Sequence, residues 1–463
     1  MSLVAVLLAA GQGTRMKSEL PKVLHTAAGR TLLSWALDAV TGVSPDRTVV
    51  VVGFGAGQVT TTLPEGIEAV TQTPQLGTGH AAAVAMGHLG TARDDDIILV
   101  TSADMPLVTA PLLDKVVKAM ESAAAVMVST ELAEPFGYGR VVRTDTGSLL
   151  RVVEERDADG DQRQINEVNA GVYAFKGGLL ANALKAIAPN NAQSEFYLPD
   201  VFPVLLSDGH RVEVVRADPS ETMGVNSHDQ LAQADSVLRG RINASWQRAG
   251  IFMQDPARVY IDAGVTLEPG VRIYPGVHLE GSTSVGPGAV IGPEVFAVDS
   301  VIGPGARVWY SVLRSAQVGE GSEVGPYASL RPGTVLGARS KAGTFVEMKN
   351  TTLGDDAKVP HLSYMGDASI GARSNIGAGS ITCNFDGYEK HHTEIGEDAF
   401  IGSDTMLVAP VVVGDKAVTG AGSVITRDVE EGALAVERSV QKEVPGYAAR
   451  REERHQTTAK TEE

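Results

Sequence analysis

The first residues that could do chemistry form a glycine-rich turn near the amino terminus. Residues 8–16 read Leu-Ala-Ala-Gly-Gln-Gly-Thr-Arg-Met, and Pro21-Lys22 follows. Such a turn at the carboxyl end of a strand exposes backbone N–H groups, which bind phosphates readily. Arg15 and Lys22 could neutralise a triphosphate and the charge that develops on a leaving pyrophosphate. The alternative is a tight turn without a ligand; it is not a Walker loop, because no Gly-Lys-Ser/Thr follows.

A carboxylate lies where a magnesium ligand for those phosphates would be expected. The apolar run 96–104 ends in Asp104. An acidic residue at the carboxyl end of a strand, close to bound phosphates, can hold Mg²⁺. Taken alone, Asp104 could equally cap the turn that follows it.

A second group of residues, in the carboxyl-terminal half, has the composition of an acid–base site. An amine is largely protonated in water and attacks a thioester only after a base has taken a proton, a task that suits histidine near neutral pH. His361 is our candidate base, and Glu347 could orient its imidazole and stabilise the charged form. The alternative is a surface or structural histidine, since the chain has ten.

Two cations near this histidine could bind a sugar phosphate. Arg331 and Lys349 flank Glu347 in the sequence, and both could clamp a phosphate group, although charged side chains on a surface can simply be solvated. Cys383 invites interpretation as a nucleophile. We reject that interpretation because no base lies beside it in the sequence and direct transfer needs no acyl-enzyme.

The composition limits the class of protein. The 463 residues are enough for two or three domains, and 43% hydrophobic with 21% charged residues is typical of globular chains. A net charge of −17 argues against nucleic-acid and membrane partners but permits anionic small ligands. One cysteine excludes an internal disulfide and fits a reducing, cytoplasmic location. The apolar amino terminus is short and lacks a basic leader, so we expect a buried strand and not a signal peptide.

The elements that must position the first group alternate in type. Continuous apolar runs predict strands of a parallel sheet buried on both faces, at 3–10, 47–53 and 96–104. Helical patterns lie between them. We therefore predict an α/β, Rossmann-like domain over residues 1–226. The polar, alanine-rich and proline-free stretch that follows predicts a linker helix at 227–250.

A six-residue period positions the second group. Branched apolar residues recur every sixth position in runs that begin at Ile261, Val318 and Ile395. This period is typical of a left-handed parallel β-helix of hexapeptide repeats, which we predict over 251–449. A glycine-rich sandwich is the alternative, but it would not keep one register over six hexads. The insertion at 383–393 is a candidate loop on the functional face, and the polar segment 450–463 predicts a disordered tail.

Further motifs extend the glycine-rich turn in a fixed order. They are Gln72 to His80, Gly-Tyr-Gly-Arg at 137–140, Val-Glu-Glu at 153–155, Asn-Ala-Gly at 169–171 and Gly-Val-Asn at 224–226. With the hexapeptide repeat, they resemble the bacterial bifunctional N-acetylglucosamine-1-phosphate uridylyltransferase / glucosamine-1-phosphate N-acetyltransferase family, from residue 3 to about 445.

The resemblance implies two reactions. The β-helix domain would acetylate glucosamine 1-phosphate with acetyl-CoA. The amino-terminal nucleotidylyltransferase domain would then transfer a uridylyl group from UTP to N-acetylglucosamine 1-phosphate and release pyrophosphate. The product, UDP-N-acetylglucosamine, is a precursor of peptidoglycan and lipopolysaccharide. The family also implies a homotrimer whose subunits share acetyltransferase sites.

The resemblance also assigns residues to ligands. In the amino-terminal half it implies Mg²⁺ ligands at Asp104 and Asn226, a phosphate contact at Lys22, and sugar contacts at Gly139, Glu154 and Asn169. It implies nucleotide contacts at Leu8, Ala9, Ala10, Gly11, Gln72, Gly77 and Thr78. In the other half it implies acceptor contacts at Arg331, Lys349, Tyr364 and Asn375. It implies acetyl-CoA contacts at Ala378, Asn384, Phe385, Ser403, Ala421 and Arg438.

The sequence departs from the family pattern at a few positions. Ser102-Ala103 precedes Asp104 where relatives often have Tyr-Gly, Ala170 replaces a common threonine, and Phe385 replaces a usual tyrosine. None of these changes removes a proposed ligand.

Two other functions stay open at this point. The repeat domain could be regulatory, as in several related pyrophosphorylases, although a base and a phosphate clamp argue against it. Both halves could also be non-catalytic and only bind partners, which the intact set Arg15, Lys22, Asp104 and Asn226 argues against.

Overall fold

The computed structural model describes residues 2–90 and 93–459 and divides into two compact units. The first comprises the chain up to Trp246 together with Tyr260–Gly264, and the second comprises Gln247–Val259 and the chain from Val265 onward. The first unit therefore extends beyond the predicted boundary at residue 226, because it includes most of the predicted linker helix. No helix among the described residues is both long and apolar enough to cross a membrane.

The first unit alternates strands and helices. Its strands are β1 (Leu3–Ala9), β2 (Thr26–Ala27), β3 (Arg30–Thr31), β4 (Arg47–Val52), β5 (Glu68–Thr71), β6 (Ile97–Ser102), β7 (Ala125–Glu131), β8 (Arg140–Arg143), β9 (Leu149–Val153), β10 (Glu167–Lys176) and β11 (Val212–Arg216). Its helices are α1 (Leu32–Thr41), α2 (Ala56–Thr61), α3 (Thr78–Leu89), α4 (Ala110–Ala119), α5 (Gly177–Ala186), α6 (Val201–Ser207), α7 (Pro219–Thr222) and α8 (His228–Arg248), the last of which ends in the second unit.

The main sheet is mixed, with the order β11-β7-β10-β6-β1-β4-β5. β1 runs parallel to both β4 and β6, whereas β10 runs antiparallel to β6 and β7. The chain leaves β1 toward β4 and β5 and returns to β6 on the other side. The strand order thus reverses at the carboxyl ends of β1 and β6, the place where open α/β sheets bind ligands.

Both faces of this sheet are buried, as the apolar runs predict. Leu7 and Leu99 belong to one hydrophobic core, together with residues of α1 and α4. Val6 and Ile98 belong to the core on the other face, together with residues of α3, α5 and α6. The α/β prediction is confirmed.

The helix α8 packs on the first unit along one apolar side. Ala234 and Leu238 are buried in a cluster with Leu107 and Val225, and Leu231 and Val237 pack against it from the rim. The predicted apolar side of this helix is confirmed. These contacts explain why the helix belongs to the first unit through Trp246.

After α8 the chain forms short parallel strands. They are β12 (Phe252–Met253), β13 (Val259–Ile261), β14 (Thr266–Leu267), β15 (Arg272–Ile273), β16 (Val277–Glu280), β17 (Ser284–Val285), β18 (Val290–Ile291), β19 (Phe296–Val298), β20 (Val301–Ile302), β21 (Arg307–Val308), β22 (Val312–Arg314), β23 (Gln317–Val318), β24 (Glu323–Val324), β25 (Ser329–Leu330), β26 (Val335–Leu336), β27 (Lys341–Thr344), β28 (Glu347–Leu353), β29 (Lys358–His361), β30 (Tyr364–Ile370), β31 (Asn375–Ile376), β32 (Ile381–Cys383), β33 (Thr393–Ile395), β34 (Phe400–Ile401), β35 (Met406–Val408), β36 (Val411–Val413), β37 (Val418–Thr419), β38 (Val424–Ile425) and β39 (Leu434–Ala435).

Their pairing is that of a β-helix in which three hexads make one coil. Leu267 pairs with Val285, and Ile273 pairs with Ile291, each in parallel register. The hexad residues that the period selects are buried throughout, including the polar Thr419. The parallel β-helix prediction is confirmed. Near the insertion Ile370 pairs with Ile395, because the intervening loop leaves the coil.

The end of the described chain differs from the expected disordered tail. Residues Tyr447–Ala459 form a helix, α9, and its side chains are exposed over 447–454. Alanine, arginine and glutamate are strong helix formers, and neither glycine nor proline interrupts this segment. Residues 460–463 lie outside the described part of the chain.

Candidate active sites

A cleft of about 480 Å³ opens at the switch point of the first sheet. Lys22 and Asp104 line it, as does the glycine-rich turn after β1. All seven predicted nucleotide contacts line it as well: Leu8, Ala9, Ala10, Gly11, Gln72, Gly77 and Thr78. The fold therefore brings together residues that are far apart in the sequence, from Leu8 to Asp104.

One glycine allows the turn to lie directly against Lys22. Gly13 has φ of 64°, in the left-handed region, and a Cβ there would lie 2.8 Å from the Cβ of Lys22. Any other residue would be strained and would displace the lysine stem. The turn thus fixes the lysine at the floor of the cleft.

Lys22 joins the two predicted metal ligands. Its ammonium donates to the Asp104 carboxylate and to Oδ1 of Asn226, the latter at 3.0 Å. The side chains of Lys22 and Asp104 are only 11% and 14% exposed. Backbone contacts fix both ligands, because Val225 N donates to Asp104 O at 2.9 Å and Asn226 N donates to Gln230 Oε1 at 2.8 Å.

This donor set fits a divalent cation that also binds substrate. A carboxylate and an amide oxygen already converge on one cation, the lysine ammonium. Within the described ranges no cluster of three or more His, Cys, Asp or Glu could hold a metal ion. Phosphate oxygens and water would have to complete the coordination shell, which is the usual arrangement for Mg²⁺.

Arg15 does not line this cleft. It lies in a short turn at Thr14–Met16, and its side chain is exposed. It is close enough to Tyr138 to lower the pKa of that phenol, although burial dominates and raises it.

A second cleft, of about 230 Å³, adjoins the first and shares Leu8, Thr78, Ser102 and Asp104 with it. The predicted sugar contacts Gly139, Glu154 and Asn169 line it, together with Asn226. Asp104 therefore lies where the two clefts meet.

The three predicted sugar contacts are fixed against one another. Asn169 N donates to Gly139 O at 2.8 Å, and Asn169 Nδ2 donates to the Tyr173 hydroxyl at 2.6 Å. A Cβ at Gly139 would lie 2.8 Å from Val152 Cγ1 and 2.9 Å from Glu154 Oε1, so a larger residue here would displace the Glu154 carboxyl group. Burial, followed by the nearby Asp200 and Asp157 carboxylates, raises the pKa of Glu154 to about 7. Near neutral pH this group can therefore both donate and accept a hydrogen bond.

The departures in this cleft leave every predicted ligand in place and affect only fine contacts to the sugar. The Ala170 methyl is 5% exposed and belongs to a hydrophobic core, and Ser102 lines both clefts. Sequence reasoning missed Tyr138, which lies in the quoted Gly-Tyr-Gly-Arg motif, and Asp200, for which the sequence carries no signal.

In the second unit, Glu347 has a different partner from the one expected. Arg331 Nη1 donates to Glu347 Oε1 at 2.7 Å. His361 ends β29 and is exposed, and its imidazole has no hydrogen-bond partner among the described residues. The structure gives no hydrogen bond between Glu347 and His361, because one oxygen of the carboxylate pairs with Arg331, and the orienting role of Glu347 stays a prediction.

The acceptor residues nevertheless form a basic cluster. Glu347 pairs in register with Tyr364, and Lys349 with Gly366. The Tyr364 hydroxyl lies over Gly366, since a Cβ there would meet it at 2.4 Å. The pKa of Lys349 is lowered by its contact with Lys390 and then by the charges of Lys390 and Arg331.

Sequence reasoning missed Lys390, although it lies in the insertion that was marked as a functional loop. Three cations at one place suit a phosphate. Asn375 lies on a different ladder, paired with Lys358.

The predicted acetyl-CoA contacts follow one edge of the coil. Asp404 N donates to Ala378 O, and Gly422 N donates to Ser403 O, both at 2.8 Å. Arg438 Nη1 donates to Ala421 O at 2.9 Å. Ala378, Ser403 and Ala421 therefore occupy equivalent positions on successive coils.

The other two predicted contacts begin the insertion loop. Asn384 is buried and donates to Asp367 at 2.5 Å. Phe385 is 60% exposed. A hydroxyl on its ring would reach solvent, and the fold does not depend on it.

This fold and these sites define a class: a transferase with a nucleotidyltransferase domain followed by a hexapeptide-repeat acyltransferase domain. Family models agree, since a MobA-like NTP transferase domain matches residues 5–168 and a bacterial transferase hexapeptide (six repeats) matches residues 392–427.

Comparison with curated proteins narrows the class to one family. The bifunctional protein GlmU of Desulfitobacterium hafniense (strain DSM 10664 / DCB-2) is 45% identical over 96% of this chain and 98% of its own length. Those of Streptomyces avermitilis and Mycobacterium bovis (strain ATCC BAA-935 / AF2122/97) are each 45% identical over 96% of this chain and 94% and 92% of their own. The chain belongs to the GlmU family.

The predicted enzyme class is thereby confirmed. The chain is a bifunctional enzyme that synthesises UDP-N-acetylglucosamine by acetyl transfer and uridylyl transfer. Its substrates are small molecules, and its nucleotidyltransferase reaction needs a divalent metal ion.

Proposed function

We propose that the two clefts of the first unit bind UTP and N-acetylglucosamine 1-phosphate and that Mg²⁺ is the metal. The observation that carries the proposal is the meeting of both clefts at Asp104, beside Lys22 and Asn226. A nucleoside triphosphate in the larger cleft would present its α-phosphate to a sugar phosphate in the smaller one.

The reaction needs little covalent help from the protein. A phosphate oxygen of the sugar attacks the α-phosphorus in line, and pyrophosphate leaves. Lys22 and the backbone of the glycine-rich turn neutralise the phosphates and hold them in place. Mg²⁺, held by Asp104 and Asn226, would supply further charge neutralisation. Arg15 reaches the phosphates only if the turn that carries it closes over them.

The sugar would be held by the second cleft. Gly139 leaves room for it, and Glu154 and Asn169 offer hydrogen bonds to its hydroxyl and acetamido groups. The pKa of Glu154, raised by burial to about 7, lets the side chain serve as donor or acceptor.

For the second unit we propose acetyl transfer from acetyl-CoA to glucosamine 1-phosphate. Arg331, Lys349 and Lys390 bind the sugar phosphate. The ammonium first loses one proton to water. The free amine then attacks the thioester carbonyl while His361 takes its second proton, and the CoA thiolate leaves and accepts that proton from His361. Tyr364 and Asn375 complete the acceptor site. The edge formed by Ala378, Ser403 and Ala421, with Asn384, Phe385 and Arg438, holds acetyl-CoA.

Two wider proposals follow from the same assignments. The enzyme acts in the cytoplasm, which a single cysteine fits, and supplies precursor for peptidoglycan and lipopolysaccharide. It acts as a homotrimer, as the family resemblance implies, because a β-helix has flat sides and a narrow core and gains apolar burial by packing those sides together.

A two-step assay tests the proposal. Purified protein receives glucosamine 1-phosphate, acetyl-CoA, UTP and Mg²⁺, and chromatography follows both products. N-acetylglucosamine 1-phosphate should form first and UDP-N-acetylglucosamine second. Omitting acetyl-CoA should abolish both products, and adding N-acetylglucosamine 1-phosphate should restore the second. Formation of a nucleotide sugar from glucosamine 1-phosphate without acetyl-CoA would contradict the order of the reactions.

A further inference from the structure

One ion pair holds the turn that forms a wall of the sugar cleft. Residues 137–139 line the cleft. Glu155 Oε2 accepts from Gly137 N at 3.0 Å and from Arg140 Nη2 at 2.8 Å. Arg140 Nη1 donates to Tyr138 O. We call Arg140 and Glu155 the clamp; together they fix the backbone of this turn at two points.

The clamp is costly for the stability of the folded state. Arg140 is 2% exposed, and its Nε atom is buried without a hydrogen-bond partner among the described residues. Burial of a charge with an unsatisfied donor is costly, and apolar residues of similar volume are often at least as stable as a buried ion pair. The guanidinium is buried while the Glu155 side chain is 21% exposed, and costly arrangements of this kind are typical of sites where a fixed geometry serves function.

That geometry extends to every predicted sugar contact. Arg140 directly follows Gly139, and Glu155 directly follows Glu154. Gly139 O in turn accepts from Asn169 N at 2.8 Å. A shift of the guanidinium or its carboxylate would therefore move the backbone at two sugar contacts and, through Gly139, at the third.

The turn also reaches the metal ligands. Tyr138 is half-buried, and its hydroxyl contacts the backbone of Gly224, two residues before Asn226. The same turn thus adjoins the sugar on one side and the segment that carries Asn226 on the other.

We infer that Arg140 and Glu155 are positioning residues for the sugar phosphate in uridylyl transfer. They hold the turn at 137–139 at the distance from Glu154 and Asn169 that the sugar requires. This inference rests on the proposed sugar site.

The test uses the full chain and compares two ion pairs whose arginines both lie on β8. Arg140→Lys keeps the charge but not the two-pronged geometry, Arg140→Met removes both, and Glu155→Gln keeps the shape. The control pair is Arg143 and Glu167, joined by two bonds of 2.7 Å. Neither residue lines either cleft. The control variants are Arg143→Lys and Glu167→Gln.

The clamp variants should raise the KM for N-acetylglucosamine 1-phosphate roughly tenfold or more, because small displacements in a binding site have large effects. The KM for UTP should change far less, because Asn226 is also held by Gln230, and acetyl transfer and the circular-dichroism spectrum should stay unchanged. The KM of Arg140→Lys for the sugar phosphate should lie between those of the wild type and Arg140→Met. The control variants should leave both KM values unchanged.

Three outcomes would overturn the inference. In the first, the clamp variants change the KM for UTP as much as that for the sugar phosphate. In the second, the control pair has the same effect as the clamp. In the third, Glu154→Gln raises the KM for the sugar phosphate but the folded clamp variants do not, which refutes the clamp alone. A folded Glu154→Gln variant with an unchanged KM would instead refute the proposed sugar site on which the clamp depends.

Discussion

Glu154 lines the proposed sugar site, and its ionised form is unfavourable in the folded state. Burial and then the Asp200 and Asp157 carboxylates raise its pKa to about 7 from a usual 4.5. Between these two pH values the folded state binds the proton and the unfolded state releases it. Stability contributed by the protonated form is therefore present below about pH 4.5 and is lost as the pH rises to about 7.

Replacing this carboxyl group should therefore stabilise the first unit at high pH. Glu154→Gln should raise its free energy of unfolding at pH 8 by up to about 3 kcal/mol and have little effect at pH 4.5, since one pKa unit corresponds to about 1.4 kcal/mol. Thermal melts of wild type and variant at both pH values measure this. An equal gain in the free energy of unfolding at pH 4.5 and at pH 8 would mean that the Glu154 carboxyl group is not desolvated.

Residue-level roles were predictable only in part. The glycine-rich turn and Asp104 follow from residue types at strand ends, because the topology of an open α/β sheet gathers those ends at one edge. The partner of Glu347 did not follow, because Arg331 and His361 are both near it in the sequence and only the stacking of coils decides between them. Lys390 was missed for the same reason.

At the scale of elements, α8 contributes to the site that it follows in the sequence. Gln230 accepts from Asn226 N, and Arg241 donates to Leu107 O and Ser220 O, each at 2.9 Å. These bonds join the segments that carry Asp104 and Asn226. The helix is therefore part of the nucleotidyltransferase unit and more than a spacer.

Leu238 on this helix should be needed for the stability of the first unit. It is 2% exposed in the cluster with Leu107 and Val225, and Leu→Ala changes in cores cost about 2–5 kcal/mol. Leu238→Ala should therefore lower the denaturation midpoint and the uridylyltransferase half-life at elevated temperature. The control is Gln233→Ala on the exposed side of the same helix. Equal midpoints for the two variants would show that α8 is not packed as described.

The β-helix was the more predictable element. One residue in six is buried in a narrow core, so the period appears directly in the sequence, and every member of the three runs is buried. The tail was less predictable, because α9 buries no side chain over 447–454 and leaves no apolar pattern to detect. The assignment of most of α8 to the first unit was also hard to predict, because it depends on contacts with residues far away in the sequence.

At the scale of the whole molecule, two sites on separate units should be separable. Asp104→Ala should reduce uridylyl transfer roughly a hundredfold or more, because it removes charge stabilisation at the phosphates, and leave acetyl transfer intact. His361→Ala should do the reverse, by about a hundredfold or more, because it removes the base. Separate assays with UTP and with acetyl-CoA measure both. A folded variant that loses both activities would contradict independent sites.

Metal removal should divide the reactions in the same way. EDTA should stop uridylyl transfer and leave acetyl transfer unchanged, and added Mg²⁺ should restore the first reaction. No group of three or more metal-ligating side chains is found in the described second unit. Loss of acetyl transfer under EDTA would point to a metal ion bound at the acetyltransferase site.

The surface of the β-helix favours self-association. Tyr310, Tyr327, Phe345 and Leu362 follow one another on successive coils and are 40–62% exposed. The rings of Tyr327 and Phe345 stack with centroids 5.4 Å apart. This apolar column ends beside His361. Packing of a second chain against it would bury the column and bring further residues to the imidazole.

Complementation between inactive chains tests whether subunits share an acetyltransferase site. His361→Ala and Arg438→Ala chains should each lack acetyl transfer as homotrimers, because one lacks the base and the other an acetyl-CoA contact. If His361 and Arg438 of one site come from different subunits, mixed trimers will contain sites with neither substitution. Denaturing the two variants together and refolding them should then restore part of the activity, while uridylyl transfer stays constant as the internal control. Light scattering should report three chains per particle, and two distinguishable tags on the variants should report mixing. Mixed trimers without any recovered acetyl transfer would place both residues on one chain and leave His361 to act without a neighbour.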